Sequence, residues 1–199
     1  AGVLLMAGAK RRYIALISGL TIVSAVAVAL AGVVDRYQLR RIDAFLNQDS
    51  TEKDLQQIVL QVRFAKRAVA SGGFFGKGYL QGPLTNGAFI PVQFSDFPFS
   101  AIGEQFGMIG GFVVLAIFGV ILWRLWMISR LARTRFDQLL ISGVFSLMLF
   151  QIFQNIGMTL GLTPVSGLPL PFISYGGSHL VSSAMLVGLA QSIYMRRLR

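Results

Sequence analysis

The stretch "FPFSAIGEQFGMIGGFVVLAIFGVILW", residues 97–123, contains a single charged side chain, Glu104. At about 1.5 Å of rise per residue, a helix over it exceeds the ~30 Å hydrocarbon core of a bilayer. Three other runs reach that length: 13–34, 139–160 and 173–194. Together they predict an all-α fold, a polytopic integral membrane bundle of four spans in one domain over residues 1–199.

Composition agrees. The 199 residues are 54% hydrophobic and 13% charged, with a mean hydropathy of +0.66. That is too apolar and too charge-poor for an ordinary soluble domain. A net charge of +10 would suggest nucleic acid in a soluble protein. In a membrane protein the same excess marks cytoplasmic loops, so no nucleic-acid partner is expected. With no cysteine and one histidine, thiolate chemistry is excluded and a zinc site is disfavoured. The apolar residues 1–9 lack a preceding basic segment and read as the tail of a span, not a cleavable signal.

Charge sets the orientation. Lys10, Arg11 and Arg12 precede the first run. Arg124, Arg130, Arg133 and Arg135 separate the second from the third, and Arg196, Arg197 and Arg199 follow the last. Four crossings bring these clusters to one side, which the positive-inside rule makes cytoplasmic. Residues 35–96 form a large structured extracytoplasmic loop, nearly balanced in charge.

Within that loop, Thr51-x-x-Asp54 is a capping-box pattern. Leu55, Ile58, Val59, Val62, Ala65 and Val69 then share one helical face, with Arg63, Lys66 and Arg67 around it. Such a helix lies along the outer interface or packs on the spans. "SGGFFGKG" (71–78) is expected to be irregular, its glycines allowing close backbone approach. "GLTPVSGLPLPFISYGGS" (161–178) carries Pro164, Pro169 and Pro171. It cannot be one helix, yet it is apolar, so a re-entrant loop inside protein is predicted.

Three stretches, "SGGFFGKGY", "SDFPFSAIGEQFG" and "FQNIGMTLGLTPVSGLPLPFISYGGS", together resemble the SEDS family (shape, elongation, division and sporulation) of peptidoglycan polymerases. Pro169 matches its RodA branch. The chain looks like the C-terminal half of such a protein. The resemblance implies a glycosyltransferase in the bacterial inner membrane that polymerises lipid II for elongation and cell shape. It also implies a class B penicillin-binding protein as transpeptidase partner, reached through small residues such as Gly110, Gly111, Gly143 and Ser146. Ser95-Asp96-Phe97 matches the family's required aspartate motif. Lys66 and Lys77 match its lysines, and Gly103-Glu104 its G-E-E, with Gln105 replacing the second acid. Val92 stands where the family often has an acid.

Chemically, the implied reaction inverts an anomeric centre while a pyrophosphate leaves. One base and cationic stabilisation suffice. Asp96 is the only acid in 55–103 and is the candidate catalytic base; as a structural element it would instead N-cap the span at 97. Lys66, Lys77, Glu104 and Ser95 are the candidate substrate-binding residues, the lysines for pyrophosphate charge and Glu104 facing the interior on a cation or hydroxyl. No protein metal site is expected, and a divalent cation is the one cofactor left open. A lipid II flippase and a non-catalytic scaffold are the competing readings. Polar groups gathered at one end of the spans favour the enzyme.

Overall fold

The computed structural model describes residues 11–30, 36–47, 53–87, 89–90 and 92–196. Among them every regular element is a helix. In chain order these are α1 (Arg11–Leu30), α2 (Arg36–Leu46), α3 (Lys53–Gly72), α4 (Pro83–Asn86), α5 (Gln93–Asp96), α6 (Pro98–Leu131), α7 (Arg135–Leu160) and α8 (Gly177–Arg196). Residues 1–9, Lys10, Thr51 with its expected cap, Arg197 and Arg199 lie outside the described residues.

α6 and α7 are long and apolar enough to cross a membrane. They form an antiparallel pair joined by a three-residue turn at 132–134. Thr134 ends the turn by capping α7, its Oγ1 accepting the Asp137 N–H at 3.1 Å. The predicted boundaries shift here. α6 runs past Trp123 to Leu131, and α7 starts at Arg135 instead of 139. No proline or glycine interrupts 123–131, so the ladder continues, and Arg124 and Arg130 are helical. Arg130 stacks on Trp126, its guanidinium carbon 5.1 Å from the ring centre. α8 begins at Gly177, later than predicted, because residues 171–175 form turns. There Ser174 Oγ accepts the Leu170 N–H at 2.7 Å.

Packing unites the helices. Leu125, Ile141, Val144, Met148, Ala190 and Ile193 join α6, α7 and α8. Phe99, Phe118, Ile152, Ile156 and Leu170 join α6 and α7 to the proline-rich segment. The apolar face of α3 is spent on protein. Leu55 and Val59 pack on Ala44 of α2, while Ala65 and Ala68 pack on Phe97, Met158 and Val165. The expected packing of this helix against other helices is observed. Outward surfaces of α6 and α7 are apolar, with Phe112 70% and Phe153 63% exposed. That is the reverse of a soluble helix pair.

α6 is broken once, at Gly107 (φ 65°, ψ −157°), a conformation essentially confined to glycine. An unbroken helix would bond the N–H groups of Met108 and Ile109 to the carbonyls of Glu104 and Gln105. Instead Met108 and Ile109 donate to Gly73 O (2.9 Å) and Phe74 O (3.3 Å). The carbonyls of Glu104 and Gln105 accept from Lys77 N and Gly78 N, both at 3.0 Å. The glycine loop thus takes over the backbone partners of these four residues, as buried polar groups require. Such docking needs near contact of the backbones: a Cβ on Gly72 would sit 1.9 Å from Gly103 O. The irregular 71–78 stretch predicted from sequence therefore begins two residues late, since α3 runs through Gly72.

Candidate active site at the Asp96 turn

Asp96 ends the single-turn helix α5, and Pro98 begins α6. Pro at the first helical position costs no hydrogen bond there. The N-cap of α6 is Phe97, with no side-chain cap bond. The capping role considered for Asp96 is therefore not the one it has. Phe97, fully buried, anchors the turn in the core. Entry to α5 is strained: Val92 has φ 57°, a left-handed conformation rare for a β-branched residue.

Four residues surround Asp96. Ser95 Oγ donates to its Oδ1 at 2.8 Å. Asn155 of α7, fully buried, donates through Nδ2 to the Asp96 carbonyl at 2.9 Å and to the Leu168 carbonyl at 2.8 Å. Gly167 lies beside two charges. A Cβ there would stand 3.9 Å from Asp96 Oδ2 and 3.9 Å from both terminal nitrogens of Arg41. The proline-rich segment is also tied to α5 by Tyr175 N–H on Phe94 O at 2.9 Å, and to α7 by Gln154 Nε2 on Pro164 O at 2.9 Å. Asp96 itself is half-buried.

Glu104 belongs to a second cluster. Fully buried, it accepts the Leu84 N–H on Oε1 at 3.0 Å. On Oε2 it accepts the Thr85 N–H at 2.7 Å and the Thr85 hydroxyl at 2.5 Å. Lys77 Nζ lies 3.7 Å from Oε1. The sequence expectation that Glu104 faces the interior on a cation or hydroxyl is met by both. Its oxygens serve the N–H groups that open α4, where negative charge is favoured. Gln93 Nε2 links the clusters, 3.4 Å from Thr85 Oγ1 and 3.0 Å from Ser100 Oγ.

Of the residues singled out in the sequence, Ser95 and Asp96 adjoin, and Lys77 pairs with Glu104. Lys66 stands half-buried on α3, next to Ala65 in the cluster that holds Phe97. Arg41 escaped sequence reasoning. Gly111, expected on a partner surface, is buried against Phe99 instead. Among the described residues no three His, Cys, Asp or Glu side chains gather to hold a metal ion. An apolar cavity of about 350 Å³ lies along the Gly107 break, lined by Val69, Phe74, Phe99, Met108, Phe112 and Leu115.

Long apolar helices, a helix break closed by a glycine loop and a half-buried carboxylate beside an irregular proline-rich segment define an all-helical class of protein. The FtsW/RodA/SpoVE cell cycle protein profile matches residues 1–198, and the chain belongs to that family. It is 36% identical over 166 residues to the peptidoglycan glycosyltransferase RodA of Treponema pallidum, covering 83% of this chain and 38% of that protein. It is 35% identical over 162 residues to the peptidoglycan glycosyltransferase MrdB of Escherichia coli, covering 81% and 43%. The chain thus spans about two fifths of the length of these relatives. A solved structure of a peptidoglycan synthase complex, described as coordinating polymerization and crosslinking, superposes with a TM-score of 0.76 at 25% identity, over 98% of this chain and 52% of that one. An aspartate-to-alanine variant of Thermus thermophilus RodA superposes with a TM-score of 0.51 at 26% identity, over 83% and 60%.

Proposed function

We propose that this chain is part of a multi-pass protein of the bacterial inner membrane, a peptidoglycan glycosyltransferase that polymerises lipid II during cell elongation. α1, α6, α7 and α8 are its spans, the basic clusters face the cytoplasm, and the segments around Asp96 lie on the outer side, with 161–176 re-entrant. The names of the relatives support the activity, and the apolar outward faces of α6 and α7 support the membrane.

The observation that carries the chemistry is Asp96, a half-buried carboxylate with Arg41 beside the same Gly167. Asp96 takes the proton of the acceptor hydroxyl. The freed oxygen attacks the anomeric carbon, and the bond from that carbon to the pyrophosphate oxygen breaks with inversion. Arg41, which approaches the same Gly167 position as Asp96, suits the developing pyrophosphate charge. Lys77, engaged by Glu104, shapes the site in place of gripping the leaving group. Lys66 remains a substrate-binding candidate. The apolar cavity suits a polyprenyl tail. A penicillin-binding transpeptidase is the partner, with open space at Gly143 for its helix.

The test is glycan synthesis from lipid II by the full-length protein and its Asp96→Asn variant. The variant should fold, bind lipid II and lose roughly 10²–10⁴-fold in rate. Near-normal polymer from it would remove Asp96 from the base role and favour the scaffold or flippase.

A further inference from the structure

Asp96 sits on a one-turn helix preceded by a strained residue, anchored on one side by the buried Phe97 and in need of bracing on the other. A buried amide from another helix provides it. Asn155 is the one described side chain that donates to the Asp96 carbonyl, and it shares that donor with Leu168 O. Leu168 follows Gly167, the residue beside both Asp96 and Arg41. One amide nitrogen therefore bridges the carboxylate turn and the 164–170 segment, alongside the backbone bond of Tyr175 to Phe94 further on. Its Oδ1 is buried with no partner among the described residues. Leaving an acceptor unpaired is costly, which is a poor bargain for a residue that merely fills space.

We propose that Asn155 is the positioning residue for Asp96, locking α5 to the 164–170 segment. This rests on the reading of Asp96 as the base. Gln154, its neighbour, supplies the internal comparison. It holds the same segment through Pro164 O but makes no described hydrogen bond to α5. A purely structural role would make the two amides equivalent.

The experiment compares Asn155→Leu and Gln154→Leu in the full-length protein, by lipid II kinetics and by hydrogen exchange. Asn155→Leu should lower kcat about 10²-fold, the scale of a misplaced catalytic group, with KM unchanged. Exchange should speed in both 93–97 and 164–170. Gln154→Leu should speed exchange in 164–170 alone and keep kcat. Equal kcat losses in the two variants overturn the proposal, as does a rise in KM at unchanged kcat in Asn155→Leu. If Asn155→Leu fails to fold, Asn155→Ser, which keeps one shorter donor, should give the same split in milder form, and wild-type kcat with wild-type exchange in it overturns the proposal. A wild-type protein that makes no glycan from lipid II defeats the functional reading, while the exchange pattern still decides whether Asn155 locks the two segments.

Discussion

Lys77 is bound to Glu104 twice, side chain to side chain at 3.7 Å and backbone N–H to backbone carbonyl at 3.0 Å. The ion pair therefore sits on a connection the main chain has already made, and the two partners are unequal in consequence. Glu104 is fully buried with three further hydrogen bonds, whereas the Lys77 side chain is 32% exposed.

Glu104→Ala leaves the Leu84 and Thr85 donors unpaired in the interior, at about 1–3 kcal/mol each. Lys77→Met leaves those bonds intact. The melting temperature in detergent should fall much further for Glu104→Ala than for Lys77→Met; equal falls would mean the ion pair, not the α4 clamp, is what Glu104 provides.

Gly107→Ala places a Cβ 2.4 Å from Gly76 N and 2.6 Å from Phe74 O at a φ of 65°. Both strain and clash oppose it, and at least one must be relieved by displacing the loop. A loss of roughly 3 kcal/mol or more is expected. Gly119, with nothing within 4 Å of its Cβ and inside a regular helix, should accept Ala with a stability change near zero or favourable. Denaturation of the two variants side by side checks the contrast.

Val92→Asn should stabilise. Left-handed backbone costs an ordinary L-residue about 1–2 kcal/mol, and Asn tolerates it better. A rise in melting temperature with α5 otherwise unchanged is the expected result. A fall would mean that Val92 makes apolar contacts worth more than the strain.

Orientation can be read by labelling cysteines introduced into this chain, which has none, with the unsubstituted full-length protein as background. A cysteine at Tyr79, which is 69% exposed, should react with an impermeant maleimide added to intact cells. One at Thr134, between α6 and α7, should not. Reaction at Thr134 from outside would invert the topology proposed.

α3 could be read from the period of its apolar residues, and α6 and α7 from the length of their apolar runs. Asp96 could be read too, as a carboxylate in an acid-poor stretch inside a familiar motif. Arg41 could not. It is far from residue 96 along the sequence, and only the packing of α2 on α3 brings it to Gly167. The signal available was the amphipathic pattern of Arg36–Leu46, which sequence reasoning left as loop. The break in α6 was equally hidden. Gly107 is one glycine among several in an apolar run, and a helix usually tolerates an isolated one. That 71–78 would approach another backbone was legible from its glycines; which backbone it would meet depended on geometry alone.

The exchange of rungs at Gly107 also constrains how this sequence can change over time. Residues 73, 74, 77 and 78 are matched one to one with 108, 109, 104 and 105. Neither stretch can gain or lose a residue without unpairing the other. Leu84 and Thr85 are also tied to Glu104, so length changes are accommodated after this clamp. In chimeras between relatives, the two stretches should travel as one inherited unit. A graft of 71–78 together with 103–109 should fold, whereas a one-residue insertion after Phe75 should abolish folding that a similar insertion after Gly87 leaves intact.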